Sequence, residues 1–381
     1  MIKILHTGDL HLGSPFSGLS PRESRRCRER QEESFGKMIG YAKAEGISLF
    51  LIAGDLFDGD AVSTDTLDNV FDALASLPCP VVIAPGNHDP YRVGSPYTAR
   101  VLPENVYVFD SEALTRFSFP TLGVDVFGYA FTSPAYRESP LASLPDNFCL
   151  GEGLSILLAH GDLDSPLSRY APIRSQDLAR SGADYVALGH VHNAEDEILS
   201  VGATAYAYCG FPEGRSFDEC GFGSFRVITL SSDASVDSPI EGAERVRCST
   251  HRYESRRCDV TGCESDPDTA ERIRAFLAEN GFGSETTLRL TLDGEVSPRY
   301  TPDPSRIAGL LDGNAIPSPL TLLDRTLPVL GSDYLESDLT LRGELYRILK
   351  PKMLSGSEEE RLDAALALRL GLAALDERPI L

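Results

Sequence analysis

Five short motifs hold the residues that could do chemistry: Asp9-Leu10-His11, Gly54-Asp55-Leu56-Phe57-Asp58, Gly86-Asn87-His88-Asp89, His160-Gly161 and Gly189-His190-Val191-His192. Only seven histidines occur in the chain, and five of them fall in these motifs, which is not how core-filling residues would sort. Carboxylate, imidazole and amide oxygen or nitrogen donors suit manganese, iron or zinc better than calcium or a thiolate-seeking metal. In an extended chain, residues two apart point the same way, so Asp9 and His11 can reach one ion, and His190 and His192 are again two apart. Gly54 permits a tight turn that presents Asp55, whose two oxygens are expected to bridge two cations ~3.5–4 Å apart. The Asn87 amide oxygen is a further ligand, leaving His88 to act on substrate. Such a pair of cations polarises phosphoryl oxygens and acidifies water, the chemistry of phosphoester hydrolysis. Taken singly, a DxH is a surface loop and GNHD an Asx turn; the five together point to a metal centre. His6 and His251 read as structural, His6 near enough to Asp9 to support it from behind.

These motifs must be positioned by regular elements. Apolar runs at Ile2 to Leu5, Leu49 to Ala53, Val81 to Ala84, Ser155 to Ala159 and Tyr185 to Leu188 are mostly continuous, as in strands buried on both faces. Helical stretches at Arg22 to Glu45 and Thr64 to Leu77 separate the first three, giving a β-α-β-α-β rhythm. Each of the five strands ends in a motif, where open α/β sheets place their ligands. The polar stretch SSDASVDSPIEGAE after Leu230 reads as a linker. The expected domains are therefore 1–232, catalytic; 243–330, a smaller α/β cap; and 333–381, helical. Within the cap the pattern predicts a strand from Val246 to Val260, a helix from Asp268 to Asn280, a strand from Thr286 to Leu292 and a short helix after Pro304. Two further helices, Leu339 to Leu349 and Glu358 to Leu375, are separated by KPKMLSGS, whose Pro351 and Gly356 interrupt the helix.

With 381 residues, 42% hydrophobic and 24% charged, the composition is that of a globular protein. No apolar run is long enough to span a membrane, and no signal peptide precedes the first motif, so a cytoplasmic location is expected. The eight cysteines include no CxxC pair and are expected to be reduced; Cys258 and Cys263 lack a second ligand pair for zinc. The net charge of -22 is unlike that of a typical nucleic-acid binder. Residues 1–230 carry 17 basic and 30 acidic side chains and the remainder 18 and 27, so neither part is basic.

The motifs in this order resemble the calcineurin-like metallophosphoesterase superfamily over residues 1 to about 230. The segments ILHTGDLHLG, GDLFD and YCGFPEGRSFDECGFGSFRVITL are similar to its SbcD and YhaO group of DNA-repair nucleases. The resemblance implies an α+β or α/β fold: a four-layer β-sandwich flanked by helices, followed by a cap and C-terminal helices. It implies two divalent ions, manganese foremost, one held by Asp9, His11, Asp55 and His192 and the other by Asp55, Asn87, His160 and His190. His88 would be the catalytic histidine and Asp58 the carboxylate that orients it. It further implies DNA as substrate, an SbcC-like coiled-coil ATPase as partner, and a homodimer.

The charge strains the DNA reading unless positive groups are local or a partner supplies them. Arg22, Arg25, Arg26, Arg28 and Arg30 are nearly cancelled by Glu23, Glu29, Glu32 and Glu33. Arg245, Arg247, Arg252, Arg256 and Arg257 face only Glu254 and form a candidate backbone-binding patch, the alternative being charge placed on a strand edge to prevent pairing. In the C-terminal helices, Leu341, Leu345, Ile348 and Leu349 with Leu362, Leu366, Leu370 and Leu372 could pack on a coiled coil or on their own domain. Two other functions compete: a small-molecule phosphodiesterase or phosphatase, such as a cyclic-nucleotide enzyme, which suits the acidic balance, and a non-catalytic scaffold, which the complete ligand set disfavours.

Overall fold

The computed structural model describes residues 1–151, 153–231, 239–297, 299–311, 316–329 and 333–375, and it divides into the units Met1–Arg252 and Tyr253–Leu381. Half of the expected linker, residues 232–238, and the last six residues of the C-terminal segment lie outside the described residues, and residues 240–244 of that linker are strand instead.

In the first unit, β1 (Ile2–Thr7), β2 (Leu49–Ile52) and β3 (Val81–Ile83) pair in parallel, with α1 (Pro21–Ala44) and α2 (Thr64–Ala75) as crossovers. Ser20 starts α1 through a capping box with Glu23, and Pro21 fits the first turn because its missing N–H has no helical partner there. Phe35, Met38, Ile39 and Ala42 recur at helical spacing and bury the inner face of α1 on the sheet. Beyond β3 lies β4 (Val106–Val108).

A second sheet holds β5 (Thr115–Phe119), β6 (Val124–Gly128), β7 (Leu154–His160), β8 (Tyr185–Gly189), β9 (Leu199–Val201) and β10 (Thr204–Tyr208), in the order β5-β6-β7-β8-β10-β9; the short α3 (Ser175–Ala179) precedes β8. The chain then returns to the first sheet through β11 (Gly221–Leu230), antiparallel to β1, and β12 (Ile240–Asp259). The sheets share a core of Ile4, Leu49, Leu51, Val82 and Ile228 from one and Val126, Ile156, Leu158, Tyr185 and Ala187 from the other. This is the expected sandwich. The helical layer covers the first sheet; the outer face of the second is closed by Leu178 of α3 and loop residues such as Leu141 and Cys149. The five motif strands thus divide between two sheets, three in one and two in the other.

The second unit packs α4 (Asp266–Glu279) on β13 (Thr286–Asp293), with the pair β14 (Glu295–Val296) and β16 (Leu327–Pro328), α5 (Pro304–Leu310) and β15 (Leu320–Asp324) completing it. Cys258 and Cys263 lie in its apolar core, and all eight cysteines are thiols. The helices α6 (Asp333–Ser337), α7 (Leu341–Ser355) and α8 (Glu358–Leu375) follow. Contrary to expectation, α7 runs through Pro351 and stops at Gly356. A proline inside a helix costs ~3 kcal/mol. Leu345, Leu349 and Met353, on both sides of it, pack with Leu368 and Leu372 of α8, and that tertiary contact outweighs the local penalty. Among the described residues no helix is long and apolar enough to cross a membrane.

Candidate metal centre

The first two motifs run side by side beyond the ends of β1 and β2. Asp9 N donates to Gly54 O (3.0 Å), His11 N to Asp55 O (2.9 Å) and Leu12 N to Leu56 O (2.9 Å). Asp9, His11 and Asp55 adopt φ of 51°, 47° and 51°, and His190 adopts 101°. Extended alternation is therefore not what aims Asp9 with His11, or His190 with His192. Each pair is set by a sharp left-handed turn just past its strand. For a non-glycine residue such a turn costs about 1–3 kcal/mol, sustained only where the surroundings fix it. Gly54, at φ 84°, also lets His160 approach: a Cβ there would stand 2.3 Å from the His160 Nδ1. A Cβ on Gly86 would stand 2.2 Å from the Asp55 Oδ1, so both glycines are required by close contact.

These turns bring side chains from both sheets to one place. Three overlapping groups each have ligand atoms within 4.8 Å of one another: Asp9, His11 and His192; Asp9, Asp55 and His160; and His11, Asp58 and His88. His160 Nε2 lies 3.0 Å from Asn87 Oδ1 and 3.6 Å from Asp55 Oδ2. His190 enters none of the three groups. Its ring packs against His160, its Nε2 lies 3.5 Å from Asp162 Oδ1, and its backbone N–H donates to Asp9 Oδ2 at 2.9 Å.

The donors fit cations. His11 is 1% exposed, yet neither ring nitrogen has a hydrogen-bond partner, although Nε2 lies 3.7 Å from Asp55 Oδ2. A buried imidazole left so is costly unless another ligand claims it. His160 Nδ1 donates to Ala53 O at 2.8 Å, which turns the Nε2 lone pair toward the oxygens of Asn87 and Asp55. With Nδ1–H so engaged, the 3.0 Å approach of Nε2 to Asn87 Oδ1 suits a cation, or a second ring proton, between them. His192 is oriented in the same way, its Nδ1–H donating to Glu219 Oε1 at 2.7 Å with Nε2 3.5 Å from Asp9 Oδ1. Burial alone would lower the His192 pKa, but Asp9 and Glu219 raise it to about 10 in the protein without ions. The direction of that shift comes from the negative charge of Asp9 and Glu219, which also favours a cation.

His88 and Asp58 form a separate pair at the mouth. His88 Nδ1 donates to Asp58 Oδ1 at 2.7 Å, and Ser14 Oγ donates to Asp58 Oδ2 at 2.7 Å. Burial would raise the Asp58 pKa, but His11 at 3.6 Å, His88 and Ser14 together hold it well below the usual range. The Asp58 hydrogen bond raises the His88 pKa against burial. The ring is 44% exposed, open to a substrate.

Several supporting residues escaped sequence reasoning. Asp89 is fully buried; its Oδ1 accepts from Gly86 N (2.8 Å) and Asp55 N (3.2 Å), and its Oδ2 from Phe57 N (3.1 Å) and the Tyr97 hydroxyl. It ties the second motif to the third, and its place inside GNHD was the available signal. Burial, and then Asp55, push its pKa up to about 6. Glu219 and Arg215, joined at 2.9 Å, stand behind His192; the available signal was the segment YCGFPEGRSFDECGFGSFRVITL that holds both. Gln31 of α1 donates to the carbonyls of Leu10 and His11. His6 is structural: it lies between Tyr185 OH and Leu188 O, and burial lowers its pKa to about 3, keeping the ring neutral. His251 is buried on β12.

The calcineurin-like phosphoesterase family matches residues 2–194, the span that holds all five motifs. The chain is 30% identical to YhaO of Bacillus subtilis (strain 168), an uncharacterized metallophosphoesterase, over 310 residues, which is 77% of this chain and 72% of that protein. It is 28% identical over 269 residues to the DNA double-strand break repair protein Mre11 of Aeropyrum pernix, covering 64% and 62% of the two chains. It is 24% identical over 278 residues to the SbcD component of the nuclease SbcCD of Escherichia coli (strain K12), covering 62% and 67%. The chain thus spans less than two thirds of the length of the Aeropyrum protein.

Proposed function

We propose a DNA nuclease: the chain belongs to the calcineurin-like phosphoesterase family and is a hydrolase of phosphoester bonds, and the phosphodiesters of DNA are the substrate class that its relatives and its open site favour together. The observation that carries the reading is the convergence of Asp9 and His192 on His11, whose buried ring nitrogens make no hydrogen bond, with Asp55, Asn87 and His160 gathered beside Asp9. In this reading Asp9, His11, Asp55 and His192 hold one divalent ion and Asp55, Asn87, His160 and His190 the other, manganese being our choice. When bound, the ions supply Lewis-acid polarisation of the phosphoryl oxygens and lower the pKa of water.

The remaining work falls to residues of the chain. Asp55 Oδ2 lies 3.7 Å from His11 Nε2 and 3.6 Å from His160 Nε2, its Oδ1 accepts from His88 N at 2.9 Å, and Asp89 fixes its turn through the Asp55 and Phe57 N–H groups. His88, its proton retained by Asp58, protonates the leaving oxygen or stabilises the charge developing there, a role typically worth ~10²- to 10⁴-fold. Its exposure lets a chain-like substrate reach it.

The test is manganese-dependent degradation of single- and double-stranded DNA against hydrolysis of a bis-aryl phosphodiester and a cyclic nucleotide. Cleavage of the small esters alone would favour the second reading, a small-molecule phosphodiesterase, which the net charge of -22 supports. Turnover of none of them would favour the scaffold. His88→Ala is expected to keep both metals and lose most turnover, and Asp55→Ala to lose metal as well; metal released from His88→Ala would overturn the division of roles.

We further assign residues 1–232 to catalysis, 243–330 to a cap and 333–381 to docking of an SbcC-like coiled coil. Leu345, Leu349, Leu368 and Leu372 pack between α7 and α8, whereas Leu341, Ile348, Leu362 and Leu366 stay exposed and support the docking role. Deleting 333–381 should abolish partner binding and spare small-ester hydrolysis; loss of the whole fold would count against it.

A further inference from the structure

We propose that the pocket beside His192 is a second phosphate subsite, in which Arg247 grips a phosphodiester neighbouring the one being cleaved; this rests on the nuclease reading above. The pocket, of about 400 Å³, is lined by His192, Asn193, Phe222, Arg245 and Arg247 among others. Because His192 also faces Asp9, a polynucleotide with one phosphate at the metal centre has this pocket as an adjoining channel.

The two arginines of β12 that line it differ in what they do. Arg245 is spent on the wall: its guanidinium donates to Asp196 Oδ1 (2.7 Å), Ser224 Oγ (3.0 Å) and Ala194 O (3.3 Å). It thereby neutralises Asp196, one of the two carboxylates of the lining, the other being Glu195. Arg247 is exposed and makes no ion pair with them; its guanidinium lies 3.1 Å from the Phe222 ring centroid, and its Nε donates to Ser249 O at 3.1 Å. Arg252 lies 4.7 Å from the same ring. Stacking on an aromatic face fixes the plane of a guanidinium, and with Nε held by Ser249 the terminal Nη groups remain to be presented to a phosphate. The cost of ordering a long side chain is thus met before binding. This gives an acidic chain a local, pre-formed grip on a phosphate backbone.

A one-phosphate substrate cannot reach both positions, and a polynucleotide can. In the full chain with manganese, the ratio of kcat/KM on a short thymidine oligonucleotide to that on bis(p-nitrophenyl) phosphate should fall about tenfold in Arg247→Ala, the worth of one charge-assisted contact. The loss should lie in KM, Arg247→Lys should recover part of it, and the slope of log KM against log salt should flatten by about 0.7. An unchanged ratio with oligonucleotide cleavage intact overturns the subsite alone. If the unsubstituted chain cleaves the small ester and no oligonucleotide, the nuclease reading falls and the subsite with it. A second measurement needs no variant. Cys220 lines the same pocket and is the one partly exposed thiol, the other seven being buried. A cleavage-resistant phosphorothioate oligonucleotide should slow its alkylation and bis(p-nitrophenyl) phosphate should not; equal rates with and without the oligonucleotide would refute the subsite.

Discussion

Glu213 stands four residues after Cys209, on the loop that leads to Arg215 and Glu219 behind His192, and it is 5% exposed. Its Oε2 accepts from Ser34 Oγ of α1 at 2.7 Å, while its Oε1 is buried with no partner. Burial outweighs Ser34, Arg30 and Lys37 and raises its pKa from 4.5 to about 7. The folded state therefore holds this proton more tightly than the unfolded one. The resulting stabilisation is full below about pH 4.5 and is lost as the pH rises through about 7. The shift of about 2.5 units corresponds to roughly 3 kcal/mol at most. Glu213→Gln cannot ionise and keeps an acceptor for Ser34, but it places an amide N–H₂ where Oε1 lacked a partner, a cost of about 1 kcal/mol or more. We expect the variant to equal the parent, or fall slightly below it, near about pH 5 and to exceed it by about 2 kcal/mol near about pH 8.5. At roughly 2–4 °C per kcal/mol for a unit of this size, that is about 4–8 °C in Tm. Urea unfolding and thermal melts at both pH values would measure it. Parallel pH profiles for the two proteins would refute the account of a buried, ionising carboxylate.

Asp58→Asn keeps an acceptor for His88 but removes the negative charge that raises the His88 pKa, so the alkaline limb of kcat against pH should move to lower pH; an unmoved limb on a chromogenic diester would exclude His88 as the titrating acid. Gly86→Ala drives a methyl against the Asp55 carboxylate, and we expect about 1–3 kcal/mol of destabilisation with reduced metal content by elemental analysis. Chelation should lower Tm, and manganese at about 100 times its dissociation constant should restore about 2.7 kcal/mol, read by calorimetry. His11→Leu should lessen that metal-dependent gain, because the imidazole stabilises only the ion-bound protein; an undiminished gain would remove His11 from the ligand set.

The chemistry of the site was legible from residue types at strand ends, because ligand identity and order are local properties. Apolar runs with helical stretches between them located β1, β2, β3, β7 and β8, since burial on both faces demands such runs. Their division into two sheets was not legible: parallel pairing leaves the same local pattern whichever neighbour a strand takes. The direction of Asp9 and His11 was misread for a related reason, as their left-handed turns are held by hydrogen bonds to Gly54 and Asp55, more than forty residues away. Pro351 continues α7 only because α8 packs across it, and Glu219 reaches His192 only because β11 returns beside β1. The sequence alone therefore determined which donors exist and which reaction class they serve. The tertiary structure decided which donors meet, which imidazole nitrogen faces the other donors and which arginine stands beside the site, because contacts between distant segments depend on packing that no short window of sequence contains.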